Sequence, residues 1–167
     1  LAAHLIDEGY RRPTIIGGPA FVSTGGPRAE LARQALVGAG FDPAAISVFE
    51  GDFSVESGCR AAREALGQAE RPDVIIALSN LMTLGAMEVL HEAGLEVGPD
   101  IGLAGYDDER WFTIARPSIT AITQPIEDLA RVSVQTLSDL IEGQTVPPVP
   151  PLPGCRLVVR DSTRRRI

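Results

Sequence analysis

The sequence is poor in the residues that reactive and metal-binding sites need. Its 167 residues include no lysine, two histidines, two cysteines and one tryptophan. The lack of lysine excludes a Walker-type phosphate loop, whose glycine-rich turn ends in that residue. Cys59 and Cys155 match no metal-ligand spacing. We therefore expect no metal, buried or half-buried free thiols, and a reducing, cytoplasmic compartment.

Long apolar runs are also lacking. No run approaches the roughly 20 residues that span a bilayer, so no membrane contact is predicted. The formal net charge is −7 and all fifteen basic residues are arginine. Because this charge should repel phosphate backbones, the chain itself is not expected to bind DNA. It opens in a helix-like pattern without an initiator methionine, which indicates a piece of a larger protein.

The sequence offers no recognisable catalytic apparatus. His4 and His91 lie in helix-like segments, where a surface position is expected, and neither accompanies a nucleophile in a known motif. The GxSxG signature is absent, and no cysteine pairs with a histidine. We therefore predict no catalytic residues and no cofactor, and a binding domain rather than an enzyme.

Strand-like and helix-like segments alternate along the chain, with glycines between them. Strands are predicted at 14–16, 46–49, 73–78, 101–104, 118–123 and 155–159. Helices are predicted in the opening segment LAAHLIDEGYRR and at 28–39, 54–67, 80–93 and 125–142. This rhythm predicts an α/β fold with a parallel, Rossmann-like sheet covered by helices on both faces. The proline-rich stretch 144–153 is predicted to be an extended connector.

The loop after the first predicted strand is rich in glycine. It lacks the spacing of a dinucleotide or phosphate loop, but it follows a strand end, where open α/β sheets bind ligands. Thr24 can donate or accept a hydrogen bond, and Arg28 opens a helix whose N-terminus favours oxygen-rich ligands. The alternative is that Arg28 is an ordinary surface residue.

Three further strand ends carry candidate ligand contacts. Phe53 is either a core residue or a flat apolar wall for stacking, and spacing alone favours the core. Ser79 and Asn80 offer polar groups after the central strand, although Asn80 could serve only as a helix cap. Asp107 offers a carboxylate to hydroxyl or amine groups, and a cap before a short helix explains it equally well.

Seven segments in a fixed order resemble the LacI/GalR family of bacterial transcription regulators. They are HLIDEGYRRPTIIGGP, STGGPR, GDFSVESG, RPDVIIALSNLMTLGA, GLEVGPDIGLAGYDDE, RPSITAITQPIEDLA and LVVRDST. The resemblance covers nearly the whole chain. It implies an effector-binding domain with the type I periplasmic-binding-protein-like fold, represented mostly by its C-terminal subdomain.

The same resemblance implies a set of cleft contacts. They are Thr24, Arg28, Phe53, Asp107 and Gln124. Ser79 and Asn80 stand where members commonly have Asn-Asp, and the change removes an acceptor-only carboxylate that typically contacts a sugar. Val22 also departs from the polar or basic residue that other members use.

The resemblance further implies three segments. Residues 1–104 would belong to the C-terminal subdomain, 105–145 would cross the hinge and supply one strand and one helix of the N-terminal subdomain, and 146–167 would return. The apolar stripe of that helix would then lack its own sheet. We therefore expect another chain to cover the stripe, or the isolated piece to be poorly stable.

The implied function is effector sensing. A small polar metabolite, in the first place a sugar, would close two lobes of a homodimer and change the spacing of DNA-binding headpieces outside this chain. The alternative is the periplasmic sugar-binding receptor of a transporter, which uses a similar cleft without binding DNA. An α/β enzyme would require a reactive pair of residues that the sequence does not provide.

Overall fold

A computed structural model describes residues 1–144 and 152–165, arranged as one mixed α/β sheet with helices on both faces. The strands are β1 Pro13–Gly17, β2 Ser47–Glu50, β3 Val74–Ala77, β4 Gly102–Tyr106, β5 Thr120–Thr123 and β6 Arg156–Val158. The helices are α1 Ala2–Asp7, α2 Gly26–Gly38, α3 Val55–Leu66, α4 Asn80–Glu92, α5 Arg110–Ile114 and α6 Ile126–Ile141. Short 3₁₀ helices occur at Pro43–Ala45 and Asp161–Thr163.

The sheet has the strand order β2-β1-β3-β4-β5-β6. The strands β1 to β5 are parallel, and β6 is antiparallel to β5. The predicted parallel α/β sheet is therefore confirmed. Because all five parallel strands point the same way, the loops that follow them meet at one edge. We call this edge the carboxyl edge.

Alternation along the strands divides the core between the two faces of the sheet. On β1, Ile16 faces the cluster formed with α3, α4 and α5, whereas Ile15 faces the cluster formed with α1 and α2. On β3, Ile75 and Ile76 divide in the same way. This period of two, with both faces covered, explains why the central strands read as continuous apolar runs.

The contact between α3 and α4 depends on two glycines. A Cβ atom on Gly85 would lie 2.1 Å from the carbonyl oxygen of Val55, and one on Gly58 would lie 2.5 Å from that of Met82. Any larger residue would force the two helices apart. The close approach places the buried Ala61 and Ala86 within one cluster.

The RDST segment, residues 160–163, forms hydrogen bonds with the sheet and with α1. The buried Ser162 hydroxyl donates to the carbonyl of Leu103 (2.6 Å) and accepts from the Thr120 amide (2.8 Å). Thr163 shares hydrogen bonds with Thr120 (2.7 Å) and with His4 of α1 (2.8 Å). His4 is therefore a half-buried structural residue, contrary to the predicted surface position, and burial lowers its pKa.

The structure corrects the prediction for the fifth strand. The family resemblance implies that the strand in 118–123 belongs to the second subdomain, but β5 pairs with β4 through Ala104 and Thr120 and with β6 on its other side. Nothing in its β-branched composition specifies which sheet it joins. The helix α6, which follows this strand, has no buried residue.

Smaller details also differ from the sequence predictions. The cap of α4 is Ser79, because its hydroxyl accepts from the Met82 amide (3.2 Å), and Asn80 is the first helical residue. On α2, Leu31 is 66% exposed, whereas Leu36 is 2% exposed. Of the two free cysteines, Cys59 is half-buried but Cys155 is exposed. The predicted connector 144–153 lies mostly outside the described residues.

Candidate functional site

The carboxyl edge brings the predicted site residues to one side of the sheet. Each lies at or just beyond the end of a parallel strand or in the helix that follows it. They are Thr24 and Arg28 after β1, Phe53 after β2, Ser79 and Asn80 after β3, Asp107 after β4, and Gln124 after β5. For the residues that follow β1 to β4, the parallel direction of the strands explains the grouping. Gln124 was implied by the family resemblance alone, and its strand β5 was not expected in this sheet.

Arg28 is held in place by two neighbours from other strand ends. Its Nη1 donates to the carbonyl oxygen of Leu78, just beyond β3, at 3.0 Å. Its guanidinium carbon lies 4.1 Å from the centroid of the Tyr106 ring at the end of β4. The half-buried side chain therefore occupies a defined position, which argues against a free surface residue.

Phe53 sits in a strained turn that Asp52 stabilises. Its φ is +68°, a left-handed value that is uncommon for a bulky residue. The Asp52 carboxylate accepts from both the amide (3.0 Å) and the hydroxyl (2.5 Å) of Ser54. These bonds lower the pKa of Asp52 to about 2, and the bond from the Ser54 hydroxyl has the largest effect. The Phe53 ring packs over Gly18, where a Cβ atom would lie 2.1 Å from Cζ.

Asp107 and Gln124 form a polar pair at the ends of β4 and β5. Gln124 Nε2 donates to Asp107 Oδ1 at 2.5 Å. Asp107 has a φ of +66°, and its amide donates to the carbonyl of Ile122 (3.0 Å). One carboxylate oxygen is thus engaged by protein, whereas no described residue donates a hydrogen bond to Oδ2, which can accept one from a ligand.

The other predicted residues are less defined as contacts. Ser79 is only 9% exposed and its hydroxyl caps α4, so it contributes to the site mainly by placing that helix. Asn80 is half-buried and Thr24 is exposed, both at the carboxyl edge. Their contact with a ligand stays a prediction.

Sequence reasoning missed Tyr106 and Asp52 as parts of this edge. The available signal was their position, since each lies at a strand end beside a predicted contact. Their roles depend on contacts with Arg28 and Ser54, which spacing alone does not reveal.

Concave surfaces occur both at this edge and away from it. A concavity of about 530 Å³ adjoins Gln124, between the end of β5, the start of α6 and the segment before β6. Another, of about 710 Å³, lies beside the amino ends of β4 and β5 and includes Arg116 and His91. None of the predicted site residues lines the second one, so volume alone does not locate the site.

Two negative findings apply to residues 1–144 and 152–165. Within these ranges no group of three or more histidine, cysteine or acidic side chains is arranged to hold a metal ion. Over the same part of the chain, no helix combines the length and apolar character needed to cross a membrane.

Comparison with known proteins decides the family. Residues 2–163 match the model of the periplasmic binding protein-like domain. The chain belongs to this family. The predicted resemblance to LacI-type regulators is also confirmed, because the curated relatives named below are HTH-type transcription regulators.

The chain matches a part of each relative. It is 38% identical to the transcriptional regulator CelR of Thermobifida fusca over 158 residues, covering 95% of this chain and 46% of CelR. It is 36% identical to the repressor PurR of Edwardsiella ictaluri over 141 residues, covering 84% of this chain and 41% of PurR. The chain thus spans less than half the length of these two regulators.

Solved structures agree with the sequence relatives. A CelR–cellobiose complex aligns with a TM-score of 0.85 at 37% identity, covering 96% of this chain and 49% of that one. The dimeric Lac repressor aligns with a TM-score of 0.81 at 32% identity, covering 98% and 59%. These proteins are regulators rather than enzymes, which supports the prediction of a binding domain.

Proposed function

We propose that this chain is the effector-binding part of a LacI-type transcription regulator and that its effector occupies the carboxyl edge of the sheet. Arg28, Phe53, Asp107 and Gln124 support the proposal, because they follow four different strands and lie at the same edge of the sheet. The family match supports the same reading, since the relatives above are transcription regulators. For that reason the alternative of a periplasmic transport receptor is not favoured.

The chemistry of the edge suits a small polyhydroxylated ligand. Phe53 offers a flat apolar face. The N–H groups of Arg28 and the Asp107 oxygen that no described residue engages offer donors and an acceptor. Orientation by a few polar groups beside an apolar wall is typical of small-molecule sites. Because a relative, CelR, has been solved with cellobiose, a sugar is the first class of effector to test.

In the intact protein, DNA binding would reside in a headpiece outside this chain, and the protein would act as a cytoplasmic homodimer. The net charge of −7 supports the absence of direct contact between this domain and DNA. A dimeric relative, the Lac repressor, supports the oligomeric state. Effector binding would then change the relative stability of two arrangements of the dimer.

We also retain the proposal that α6 belongs to a second lobe and that the chain returns from it through 146–167. The exposed apolar side chains of α6 support this division. The strand β5 is excepted, because it lies in the main sheet.

Calorimetric titration of the chain with cellobiose and a panel of simple sugars tests ligand binding. Asp107→Ala should weaken the binding of any sugar that the wild type binds by about tenfold or more, because a charged hydrogen bond is lost. Asp7→Ala is the matched control, because Asp7 is an exposed residue at the end of α1, before the amino end of β1 and away from the carboxyl edge. Equal affinity of both variants would contradict this site.

Sequencing the coding DNA upstream of Leu1 tests the regulator reading separately. A helix-turn-helix followed by the remainder of a first lobe is expected. A secretory signal in that place would overturn the regulator and support the transport receptor.

A further inference from the structure

Tyr106 makes a contact that core packing does not require. The residue ends β4 and is half-buried. Its ring lies against the guanidinium of Arg28, with 4.1 Å between the ring centroid and the Cζ atom of Arg28. Its hydroxyl reaches the exposed Cys155, 3.9 Å from oxygen to sulfur. The ring thus lies at the wall of the carboxyl edge rather than inside either hydrophobic cluster.

The contacts of Arg28 restrict its guanidinium in two independent ways. The Tyr106 ring covers one face, an arrangement in which the cation is attracted to the ring's electron-rich surface. The Leu78 carbonyl accepts from Nη1. An arginine carries five N–H donors in a rigid plane, so four are not engaged by the described residues and can serve a ligand. A plane fixed by a ring and a carbonyl presents these donors in one orientation.

A fixed guanidinium matters for recognition because ordering a long side chain on binding opposes affinity. Immobilising a rotamer-rich side chain upon association costs conformational entropy and therefore weakens binding. If the folded protein already holds Arg28, the ligand does not bear this cost.

We propose that Tyr106 is a positioning residue, which holds the Arg28 guanidinium between its own ring and the Leu78 carbonyl so that the remaining N–H donors face the effector. This role rests on the proposed effector function. Tyr106 would then contribute to effector affinity through Arg28, and it would not need to contact the ligand itself.

The contact itself can be tested without any ligand. Tyr106 and Tyr10 are the two tyrosines of the chain, and the buried Tyr10 hydroxyl makes no ordinary hydrogen bond among the described residues. Tyr10→Phe should therefore leave a folded protein with one tyrosine to titrate by its near-ultraviolet absorbance.

The titration has a definite expected direction. Burial raises the pKa of Tyr106, Cys155 and Asp107 raise it further, and the nearby positive charge of Arg28 opposes them. In the Tyr10→Phe background, Arg28→Leu should therefore raise the pKa of Tyr106. Arg33→Leu removes an equal charge from the exposed side of α2 and should not. Equal shifts in the two variants would overturn the contact.

A double-mutant cycle tests the positioning role, with cellobiose as the probe. Tyr106→Leu should weaken binding about fivefold, the range expected for loss of a cation–π contact. Tyr106→Phe should restore most of that affinity, because it keeps the ring. In the Arg28→Leu background, Tyr106→Leu should change affinity less than twofold. Full additivity of the two substitutions would overturn the positioning role.

The two experiments separate failure of this role from failure of the proposed function. If the wild type binds neither cellobiose nor any sugar of the panel, the proposed function and the positioning role both fall, whereas the titration still decides whether Arg28 and Tyr106 interact. If cellobiose binds and the substitutions act independently, only the positioning role falls.

Discussion

The helices α4 and α6 each carry an apolar stripe, but the two stripes lie in opposite environments. Four apolar residues of α4, Met82, Ala86, Val89 and Leu90, are at most 3% exposed. Along α6 no residue is buried, and five large apolar side chains are 58% to 78% exposed, namely Ile126, Val134, Leu137, Leu140 and Ile141. An apolar stripe therefore identifies a face that seeks a partner without identifying the partner.

The difference arises from what each helix meets. The helix α4 packs against α3 through two glycines and against β3 and β4 through its stripe. The described part of the chain supplies no such surface for α6. The stability of the chain should accordingly depend on α4 and hardly on the stripe of α6.

The largest difference is expected for one substitution made in both helices. Leu90→Ala, at a fully buried position, should lower the free energy of unfolding by about 2–5 kcal/mol, because it leaves a cavity. Leu137→Ala, at a side chain 58% exposed, should lower it by less than about 1 kcal/mol. Urea unfolding of the two variants measures both values, and similar losses would refute the contrast.

A second large effect is expected where α4 touches α3. Gly85→Ala should destabilise the fold by about 2 kcal/mol or more, since the new methyl group would collide with the Val55 carbonyl. Gly38→Ala, in open space at the end of α2, should be neutral or stabilise by up to about 1 kcal/mol. Thermal unfolding distinguishes the pair, and a destabilised Gly38→Ala would show that glycine loss in general is harmful.

The stripe of α6 should affect association more than stability. Val134→Gln together with Leu137→Gln should change the free energy of unfolding by less than about 1 kcal/mol, because both side chains are mostly exposed. The same double variant should reduce self-association in sedimentation velocity runs at rising concentration. A wild type that remains a monodisperse monomer at every concentration would contradict the need for a covering partner.

The smallest expected effect concerns the pH dependence of stability that Asp52 contributes. This residue lies in the turn before α3, the helix on which α4 packs. The pKa of Asp52 in the folded state is about 2, below its ordinary value of 3.8. The ionised form therefore favours folding, fully above about pH 4, and this contribution disappears as the pH falls towards 2. The stability difference between wild type and Asp52→Asn should shrink over that range.

Urea midpoints at a series of acidic pH values measure this difference. Asp7→Asn, on an exposed residue of α1, controls for the change in net charge. A difference between wild type and Asp52→Asn that stays constant from neutral pH to pH 2 would refute the role of the Ser54 hydrogen bonds.

Much of the fold could be predicted because its signals are local. Ser54 and Gly67 bracket α3, and the apolar run ending at Leu78 identifies a central parallel strand. The placement of β5 could not be predicted, because sheet pairing depends on distant strands. The exposure of Leu31 could not be predicted either, because a helical stripe does not specify which of its members reach the sheet.

The candidate site could be predicted as a set of strand ends but not as a set of contacts. Parallel pairing alone brings Arg28 and Asp107 to the same edge. The left-handed backbone of Phe53, the capping role of Ser79 and the ring of Tyr106 over Arg28 arise from tertiary geometry. Residue types therefore indicate where ligand contacts are possible, whereas the structure shows which polar groups already bond to other parts of the protein.

The central claim is that the carboxyl edge of the sheet binds the effector. Amide chemical-shift mapping by NMR with cellobiose and the sugar panel tests it most directly. The account predicts that a bound sugar shifts the amides of residues 18–28, 51–54, 79–80, 106–108 and 124. Shifts confined to the amino-end concavity beside His91 and Arg116, or no shift with any sugar, would contradict it.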